Sequence, residues 1–435
     1  MKNNPLIQFN KIAKRPYSFF LDSAAGPSKL ARRSFAGSDP FLVFKSKHDR
    51  VTLEWENGKA ERIKADPFIV LKDLFDKFVK DSRGKDSSFT SGAVGYFGYD
   101  MKDLLEKLPD TAKDDLALPD CILGFYDNIA SFNKPTHSGA GAQNGFFDAN
   151  ALRGVKSNFT KEQYKTAVKK AKKYIKRGDV YQVNLSQRFE ARLHTEPYEL
   201  YLKLRDFSPA PFSSYLNFSD CNIISSSPER FLMKRGSYIE TRPIKGTRPR
   251  SKDLLMDEFN RNELTKSYKD RAEHIMIVDL ERNDLGRVCE YGSVRPAEFI
   301  ALEEYANVFH LVSTISGRLK KDVGPIDCLT STFPGGSITG APKIRSMEII
   351  EELEPVKRGI YTGAIGYISF SGDMDTSIAI RTIVTKGDRL YFHAGGGIVH
   401  DSDPEAEYTE TIDKAKGMLQ AIGAQGAVVE QNIYQ

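Results

Sequence analysis

The chain has 435 residues, of which 40% are hydrophobic and 28% are charged. This length suffices for two or three ordinary domains or for one large sandwich-like body, and the composition is that of a globular protein. Its net charge of +5 comes from 63 Lys and Arg against 58 Asp and Glu scattered along the chain, a balance that argues against a dedicated nucleic-acid-binding protein.

Sequence features also argue against export and membrane insertion. Cationic residues interrupt the first apolar stretch before a signal-peptide core forms, and no later apolar run is long enough to span a bilayer. The four cysteines lie far apart without a CxxC pair, which favours reduced thiols over a zinc ribbon or a disulfide framework. We therefore expect a cytoplasmic protein.

The first part of the chain alternates short strand patterns with turns and contains one helical stretch, FIVLKDLFDKFVKD. Residues 133–158 are rich in Gly, Ala, Ser and Asn and predict an exposed connection. We accordingly divide the chain into an N-terminal region, 1–150, and a second region, 151–435.

A helix with readable ends follows this connection. Thr160 is its predicted cap, Gln163 completes a capping box, and Gly178 is the predicted stop. Its many lysines are expected on a solvated outer face. The next stretch, VYQVNLSQRF, predicts a strand with Tyr181 on its apolar face and Gln182 on the opposite one. Later strands and helices come in groups rather than as regular βαβ repeats, which favours an α+β fold.

Two acidic pairs share a spacing of three residues on predicted helices. They are Asp270 with Glu273, and Glu407 with Glu410. Each pair alone is explained by the preference for carboxylates in a first helical turn. If the fold brings the pairs face to face, their oxygens would bind a hard divalent cation such as Mg²⁺ and leave positions open for an anionic substrate.

Two glycine-rich turns are candidates for anion binding through backbone amides. The first, FPGGSITGAPKIRSMEII, is not a phosphate-binding P-loop, because Ala341 and Pro342 separate Gly340 from Lys343 and no Ser or Thr follows the lysine. ATP and GTP binding are thus disfavoured. The second, HAGGGIVHDSDPE, places glycines at a predicted strand end, where they permit either close approach of a ligand or a tight bulge: Gly395, Gly396 and Gly397.

Three single residues allow both a structural and a functional interpretation. Arg381, in the strand pattern TSIAIRTIV, needs an anionic partner, and the local sequence favours a structural carboxylate over a substrate. His310 is either a satisfied core histidine or a catalyst. Lys245, in TRPIKGTRPR, is either a solvated turn lysine or a nucleophile. No Ser/His/Asp or Cys/His motif with a nucleophile elbow is found.

Several motifs together decide between these interpretations. In this order the chain contains SPERF, PIKGTRPR, DRAEHIMIVDLERNDLGRV, GGSITGAPKIRSMEII, YTGAIGY, IAIRT and AGGGIVHDSDPEAEYTET. These strings resemble the chorismate-utilising enzymes and cover about the last 260 residues densely. FTSGAVGYFGYD and YSFFLDSA extend a weaker likeness towards the N-terminus. The resemblance implies two large antiparallel sheets packed as a sandwich with helices outside, to which both halves of the chain contribute strands.

Two positions distinguish the reactions that members of the resembled family catalyse. Members that add water to chorismate carry a lysine base where this chain has Gln182, which cannot deprotonate water, so ammonia is the implied nucleophile. Members that form anthranilate usually have alanine at the place of Lys245, whereas members that form 4-amino-4-deoxychorismate, the precursor of p-aminobenzoate and folate, have lysine there. The resemblance therefore implies amination of chorismate.

The resemblance also implies roles for the other candidates. Lys245 would attack the ring with its pKa lowered by burial or by Arg242, Arg248 and Arg250, and Glu229 of SPERF would be the general acid. Glu273 and Glu410 would bind Mg²⁺ directly, with Asp270 and Glu407 as outer or water-mediated ligands. His310 would lie near the ring, and the remaining substrate-binding residues would be Gln182, Thr339, Lys343, Tyr361, Arg381 and the three glycines around Gly396.

The resemblance further implies a separate glutamine amidotransferase subunit as the source of ammonia. YSFFLDSA lies where feedback-inhibited relatives bind tryptophan but matches their LLES signature poorly, so we expect no inhibition by tryptophan. Two other functions remain open on the sequence: anthranilate formation, and a non-enzymatic basic binding protein.

Overall fold

The computed structural model describes residues 4–24, 30, 33–79, 89–133, 154–305, 308–424 and 430–431. The helices in this part are α1 (Pro5–Asn10), α2 (Pro67–Phe78), α3 (Lys161–Arg177), α4 (Pro197–Phe207), α5 (Leu254–Lys266), α6 (Tyr268–Val288), α7 (Pro325–Thr332), α8 (Lys343–Leu353) and α9 (Pro404–Ala421).

The strands in this part have between 2 and 11 residues. They are β1 (Phe19–Asp22), β2 (Arg33–Gly37), β3 (Leu42–Lys47), β4 (Arg50–Trp55), β5 (Ala60–Lys64), β6 (Gly92–Phe97), β7 (Cys121–Tyr126), β8 (Ala130–Asn133), β9 (Lys156–Ser157), β10 (Gln182–Arg192), β11 (Phe212–Asn217), β12 (Cys221–Ser227), β13 (Arg230–Arg235), β14 (Tyr238–Arg242), β15 (Ile244–Pro249), β16 (Arg295–Glu304), β17 (Val308–Arg318), β18 (Gly340–Ala341), β19 (Ala364–Ser369), β20 (Met374–Ile378), β21 (Thr382–Lys386), β22 (Arg389–Ile398) and β23 (Glu430–Gln431).

These strands form two large sheets. The first has 11 strands, in the order β23-β9-β10-β22-β21-β12-β11-β1-β2-β8 with β18 added beside β10. The second has 12 strands, in the order β15-β17-β14-β13-β20-β19-β6-β7-β3-β4-β5 with β16 added beside β17. Pairing is antiparallel except between β23 and β9. The predicted α+β fold with two antiparallel sheets is confirmed.

Both sheets draw strands from both halves of the chain. The first combines β1, β2 and β8 with later strands, and the second combines β3 to β7 with β13 to β17, β19 and β20. One apolar cluster contains Phe19 and Leu216 of the first sheet with Val43 and Tyr96 of the second, so the sheets share a core. Most of the predicted connection at 133–158 lies outside the described residues.

Helices pack on the outer faces of this sandwich. Helices α4 and α9 bury apolar residues on the first sheet, while α2, α6 and α7 do so on the second. The predicted limits of α3 are confirmed: Thr160 and Gln163 form a reciprocal capping box, and Gly178 ends the helix with φ of +82°. The prediction for Tyr181 is wrong, since its side chain is 73% exposed just before β10 begins. No helix in the described ranges is both long and apolar enough to span a membrane.

Candidate active site

Lys245 lies on β15, at one edge of the 12-stranded sheet. The register with β17 shifts between Lys245 and Thr247, so Gly246 is the extra residue of a β-bulge. Gly246 has φ of +80°, a left-handed conformation that glycine adopts without strain. A β-carbon there would come within 3.0 Å of Leu264 and 3.2 Å of Asp270. The glycine therefore bends the strand and lets it lie against the first turn of α6.

One lysine and three carboxylates act on the amine of Lys245. Burial lowers the pKa of Lys245, and the charge of Lys414 lowers it further, while Glu273, Glu229 and Glu410 partly oppose the shift. The net lowering increases the fraction of free amine, which is the nucleophilic form.

Glu229 follows β12 and is buried beside the amine. Burial raises the pKa of its carboxyl, although a hydrogen bond from Ser337 and the charge of Lys245 act in the opposite direction. The Ser337 hydroxyl donates to Oε1 of Glu229 at 2.6 Å. The raised pKa favours the protonated form, which can supply a proton to a leaving group.

A second buried carboxyl, Glu281 of α6, lies close to Glu229. It was not predicted from the sequence. Burial and then the charge of Glu229 raise the pKa of Glu281 to about 8. The Thr241 hydroxyl donates to its Oε2 at 2.8 Å. In the sequence it appears as one of several acidic residues on α6, and only its place on the buried face of that helix distinguishes it.

The two predicted acidic pairs come together between α6 and α9. Glu273 interacts electrostatically with both Asp270 and Glu410, and Glu407 interacts with Glu410. A β-carbon on Gly396 would lie 3.2 Å from Oε2 of Glu407 and 3.2 Å from Oε1 of Glu410. The bare backbone of β22 therefore leaves room for both carboxylates.

This donor set fits a magnesium ion. Glu273 has no hydrogen bond or ion pair among the described residues, and Oε2 of Glu407 is buried there without a hydrogen-bond partner. Carboxylate oxygens are the ligands that Mg²⁺ prefers. Glu410 is instead paired with Lys414, at 2.7 Å. Within the described ranges no three such side chains already converge as a metal site, so binding would require Glu410 to exchange Lys414 for the ion.

Comparison with known proteins agrees with this geometry. Residues 18–420 match the family model described as chorismate binding enzyme. The chain belongs to the chorismate-binding enzymes. It is 39% identical to aminodeoxychorismate synthase component 1 of Escherichia coli, over 95% of each protein. It is 37% identical to anthranilate synthase component 1 of Acetivibrio thermocellus, over 98% of this chain and 94% of that protein.

A crystal structure of a related protein also supports membership of this family. The crystal structure of anthranilate synthase component I from Streptococcus pneumoniae superposes with a TM-score of 0.77 at 33% identity, over 89% of this chain and 92% of that one. Family membership makes the chain an enzyme acting on chorismate and removes the non-enzymatic alternative.

The three arginines around Lys245 of this chorismate-binding enzyme are already paired with carboxylates. Arg242 pairs with Glu298 and Glu303, Arg248 with Glu263 and Asp270, and Arg250 with Asp257. The prediction that they lower the pKa of Lys245 is wrong, because their charges are neutralised locally and Lys414 is the cation that acts. In the sequence Lys414 resembles an ordinary helix-surface lysine. Only its spacing of four residues from Glu410 indicated a contact between the two side chains.

Arg381 lies at the bend where the chain passes from β20 in one sheet to β21 in the other. Its φ of +50° interrupts the strand, so its predicted position within a strand is wrong. Among the described residues its guanidinium forms no ion pair with a structural carboxylate. Burial lowers its pKa, while Tyr305 and Glu229 act in the opposite direction. A cation held in this way beside Glu229 suits an anionic ligand.

Gln182 and His310 are buried with polar atoms that lack a hydrogen-bond partner among the described residues. Both polar side-chain atoms of Gln182 are in this state, and so is Nε2 of His310. Nδ1 of His310 shares a hydrogen bond with the Thr247 hydroxyl at 2.8 Å. Burial lowers the pKa of His310 to about 3, which leaves the imidazole neutral at neutral pH. These unpaired atoms are available to a bound molecule.

The three glycines of β22 lie within a continuous strand. Gly395, Gly396 and Gly397 pair in unbroken register with β10. Their predicted position near a strand end is confirmed, because β22 ends at Ile398, and the alternative interpretation as a tight bulge is wrong. A β-carbon on Gly397 would come within 2.3 Å of Nε2 of Gln182. Glycine is needed here because neighbouring side chains approach the backbone closely.

Three other predicted substrate-binding residues have protein partners. Lys343 is paired with Asp284 at 2.6 Å. The Thr339 hydroxyl donates to a backbone carbonyl of the preceding turn at 2.9 Å. The ring of Tyr361 stacks on His393 with their centroids 4.8 Å apart. Lys343 in particular is held by a buried ion pair and acts as an anchor of α8 rather than as a free cation.

A cavity of about 600 Å³ lies between the sheets, and Lys245 and the acidic pairs are not among its lining residues. It is lined by Leu21, Asp22 and Ser23 near the N-terminus and by Phe212 and Ser213 of β11, among others. The carboxylate of Asp22 in this lining accepts hydrogen bonds from Arg205 and Tyr201, at 2.6 and 3.0 Å. Its charge is thus already compensated within the protein.

Proposed function

We propose that this enzyme aminates chorismate at C4 to give 4-amino-4-deoxychorismate, with Lys245 as a covalent nucleophile. The observation that carries the proposal is the position of Lys245, buried beside the protonatable Glu229 and near Lys414, with a lowered pKa. An amine in this setting has no evident structural task, because among the described residues it forms no hydrogen bond or close ion pair through its side chain.

In the first step the free amine of Lys245 forms a bond to C2 of the ring. The ring double bonds shift, the C4–O bond breaks, and the oxygen leaves as water with a proton from Glu229. Hydroxide is a poor leaving group, so this step requires an acid that is still protonated near neutral pH.

In the second step ammonia forms a bond to C4. The double bonds shift back, the C2–N bond breaks, and Lys245 leaves as the free amine. The new C4 ammonium returns one proton to the carboxylate of Glu229. The sum is chorismate plus ammonia giving 4-amino-4-deoxychorismate plus water.

Binding is assigned to the cationic and carboxylate groups around this amine. Bound Mg²⁺ would neutralise and orient the ring carboxylate, held directly by Glu273 and Glu410 with Asp270 and Glu407 further out. Arg381 would face an anionic group of the substrate, and the unpaired amide of Gln182 would hydrogen-bond to it or to ammonia.

We infer that ammonia comes from a glutamine amidotransferase partner. The curated relatives are named as component 1, which supports a second component. The four cysteines are free and buried, which supports a reducing, cytoplasmic location.

Anthranilate formation is the second candidate, since relatives named for each reaction match at similar identity: 37% and 39%. The two reactions differ in what happens to the enolpyruvyl group. Anthranilate formation releases pyruvate, whereas the amination proposed here keeps that group on the ring.

The test is product analysis with chorismate, Mg²⁺ and ammonium, comparing the wild type with Lys245→Met. We expect 4-amino-4-deoxychorismate from the wild type and its loss in the variant. Lys252→Met is the matched control, because Lys252 is an exposed lysine shortly after β15 and should leave the rate unchanged. Anthranilate with pyruvate from the wild type would overturn the proposal.

A further inference from the structure

Lys414 occupies a specific place among the carboxylates of the candidate magnesium site. It lies on α9, one turn after Glu410, and its Nζ is 2.7 Å from Oε1 of Glu410. The same Nζ donates to the backbone carbonyl of Gly395 at 2.9 Å. The next residue, Gly396, is the one whose β-carbon would touch Glu407 and Glu410. The ammonium group therefore lies on the side of Glu410 where β22 and the acidic pairs meet.

An ordinary helix-surface ion pair does not account for this arrangement. Ion pairs between neighbouring turns of an exposed helix contribute little to stability and involve no third group. The neighbouring Lys416 forms an ordinary surface pair with Asp413, three residues before it, at 2.6 Å and with both side chains mostly exposed. Lys414 differs because it bridges Glu410 and the backbone of the glycine strand.

Two nearby carboxylates that form no ion pair among the described residues are the counterpart of this bridge. Glu273 has no hydrogen bond or ion pair in the described part of the chain, and Oε2 of Glu407 is buried there without a partner. Four acidic side chains brought this close repel one another, and a positive charge among them relieves the repulsion. Lys414 supplies such a charge from within the chain.

We propose that Lys414 holds the place of the divalent cation in the metal-free enzyme and competes with that cation for Glu410. The inference rests on the magnesium site of the proposed function. On metal binding Glu410 exchanges the ammonium for the ion, and Lys414 swings away from the carboxylates.

The competition between Lys414 and the ion should change the metal affinity by a measurable factor. Removing one positive charge about 6 Å from a dication, at the dielectric constant of water, should tighten metal binding by about tenfold. It should also make the metal-free protein less stable, because the repulsion between the carboxylates is then less well compensated.

The experiment is metal binding by chelator-treated full-length protein, without substrate, using Mn²⁺ as the probe and electron paramagnetic resonance of the free ion as the readout. Lys414→Met is compared with the wild type and with Lys416→Met, the matched control on the outer face of the same helix. Thermal unfolding with and without Mg²⁺ is recorded for each, and Lys414→Ala serves as a second variant if Lys414→Met is poorly folded.

We expect the dissociation constant for Mn²⁺ to fall about tenfold in Lys414→Met, to remain unchanged in Lys416→Met, and to rise sharply when Glu410→Gln is added. A wild-type protein that binds Mn²⁺ together with a Lys414→Met variant that binds equally or more weakly would overturn the inference and leave the proposed reaction standing. Absence of binding in all variants would overturn both the inference and the magnesium assignment. Because binding is read without turnover, formation of a different product would overturn the proposed function alone.

Discussion

Replacing Glu281 with glutamine should stabilise the protein at neutral pH. The glutamine amide is not charged at any pH, whereas burial and the neighbouring Glu229 raise the pKa of the Glu281 carboxyl from its ordinary 4.5 to about 8. The amide oxygen can still accept the hydrogen bond that Thr241 now donates to Oε2 at 2.8 Å. The exchange therefore removes one titration and preserves the local contact.

The sign and size of the effect follow from proton linkage. Between pH 4.5 and about 8 the folded state keeps the Glu281 proton and the unfolded state loses it. Because the folded state binds the extra proton, its contribution to stability is complete below pH 4.5 and is lost as pH rises, by about 1.4 kcal/mol per pH unit. Relative to the wild type, the Glu281→Gln variant should gain on the order of 3 kcal/mol at pH 7, with the gain rising to about 5 kcal/mol near pH 8 and staying constant above it.

The assay is urea unfolding of both proteins from acid to mildly alkaline pH, with the difference in unfolding free energy plotted against pH. Glu258→Gln, at an exposed position of α5, is the matched control and should give a flat difference. A flat difference for Glu281→Gln as well would refute the reasoning, because Glu281 would then be ionised in the folded protein, with its charge compensated by Lys343 or another cation.

Three further outcomes are expected. Gly397→Ala should lower the unfolding free energy by about 1–3 kcal/mol and reduce kcat/KM for chorismate, because the new methyl group lies 2.3 Å from Nε2 of the buried Gln182; unchanged kinetics would contradict this. Gly286→Ala should raise the unfolding free energy by about 0.5–1 kcal/mol with no change in rate, since this helical glycine faces open space, and a loss of stability would show that the space is not free. Tryptophan at saturating chorismate should not inhibit, because Asp22 in the cavity between the sheets is already paired with Arg205, and an inhibition curve would reveal the error.

Sequence patterns predicted those parts of the structure that depend only on residues close together in the chain. The capping box of Thr160 and Gln163 needs only neighbouring residues, and it is found as expected. The spacing of the acidic pairs places their members on one helix face, which is also a local property. That α6 and α9 bring the two pairs together is a tertiary fact, and only the resemblance to a family anticipated it.

The errors have a common physical origin. Arg381 lies between two strands that belong to different sheets, and a single left-handed residue leaves no trace in a continuous apolar pattern. The arginines near Lys245 were assigned by sequence distance, although their charges are cancelled by carboxylates from other elements. Glu281 was missed because only its burial distinguishes it from ordinary helix residues, and Lys414 because only its partner on strand β22 does so.

The central claim is that Lys245 bonds to the ring, and peptide mass mapping tests it most directly. The wild-type enzyme is incubated with chorismate and Mg²⁺ in the absence of ammonia and glutamine, quenched and digested. We predict an adduct on Lys245 with the mass of chorismate less one water, which disappears when ammonium is added before quenching. An unmodified Lys245 in enzyme that goes on to form 4-amino-4-deoxychorismate when ammonium is supplied would contradict the account.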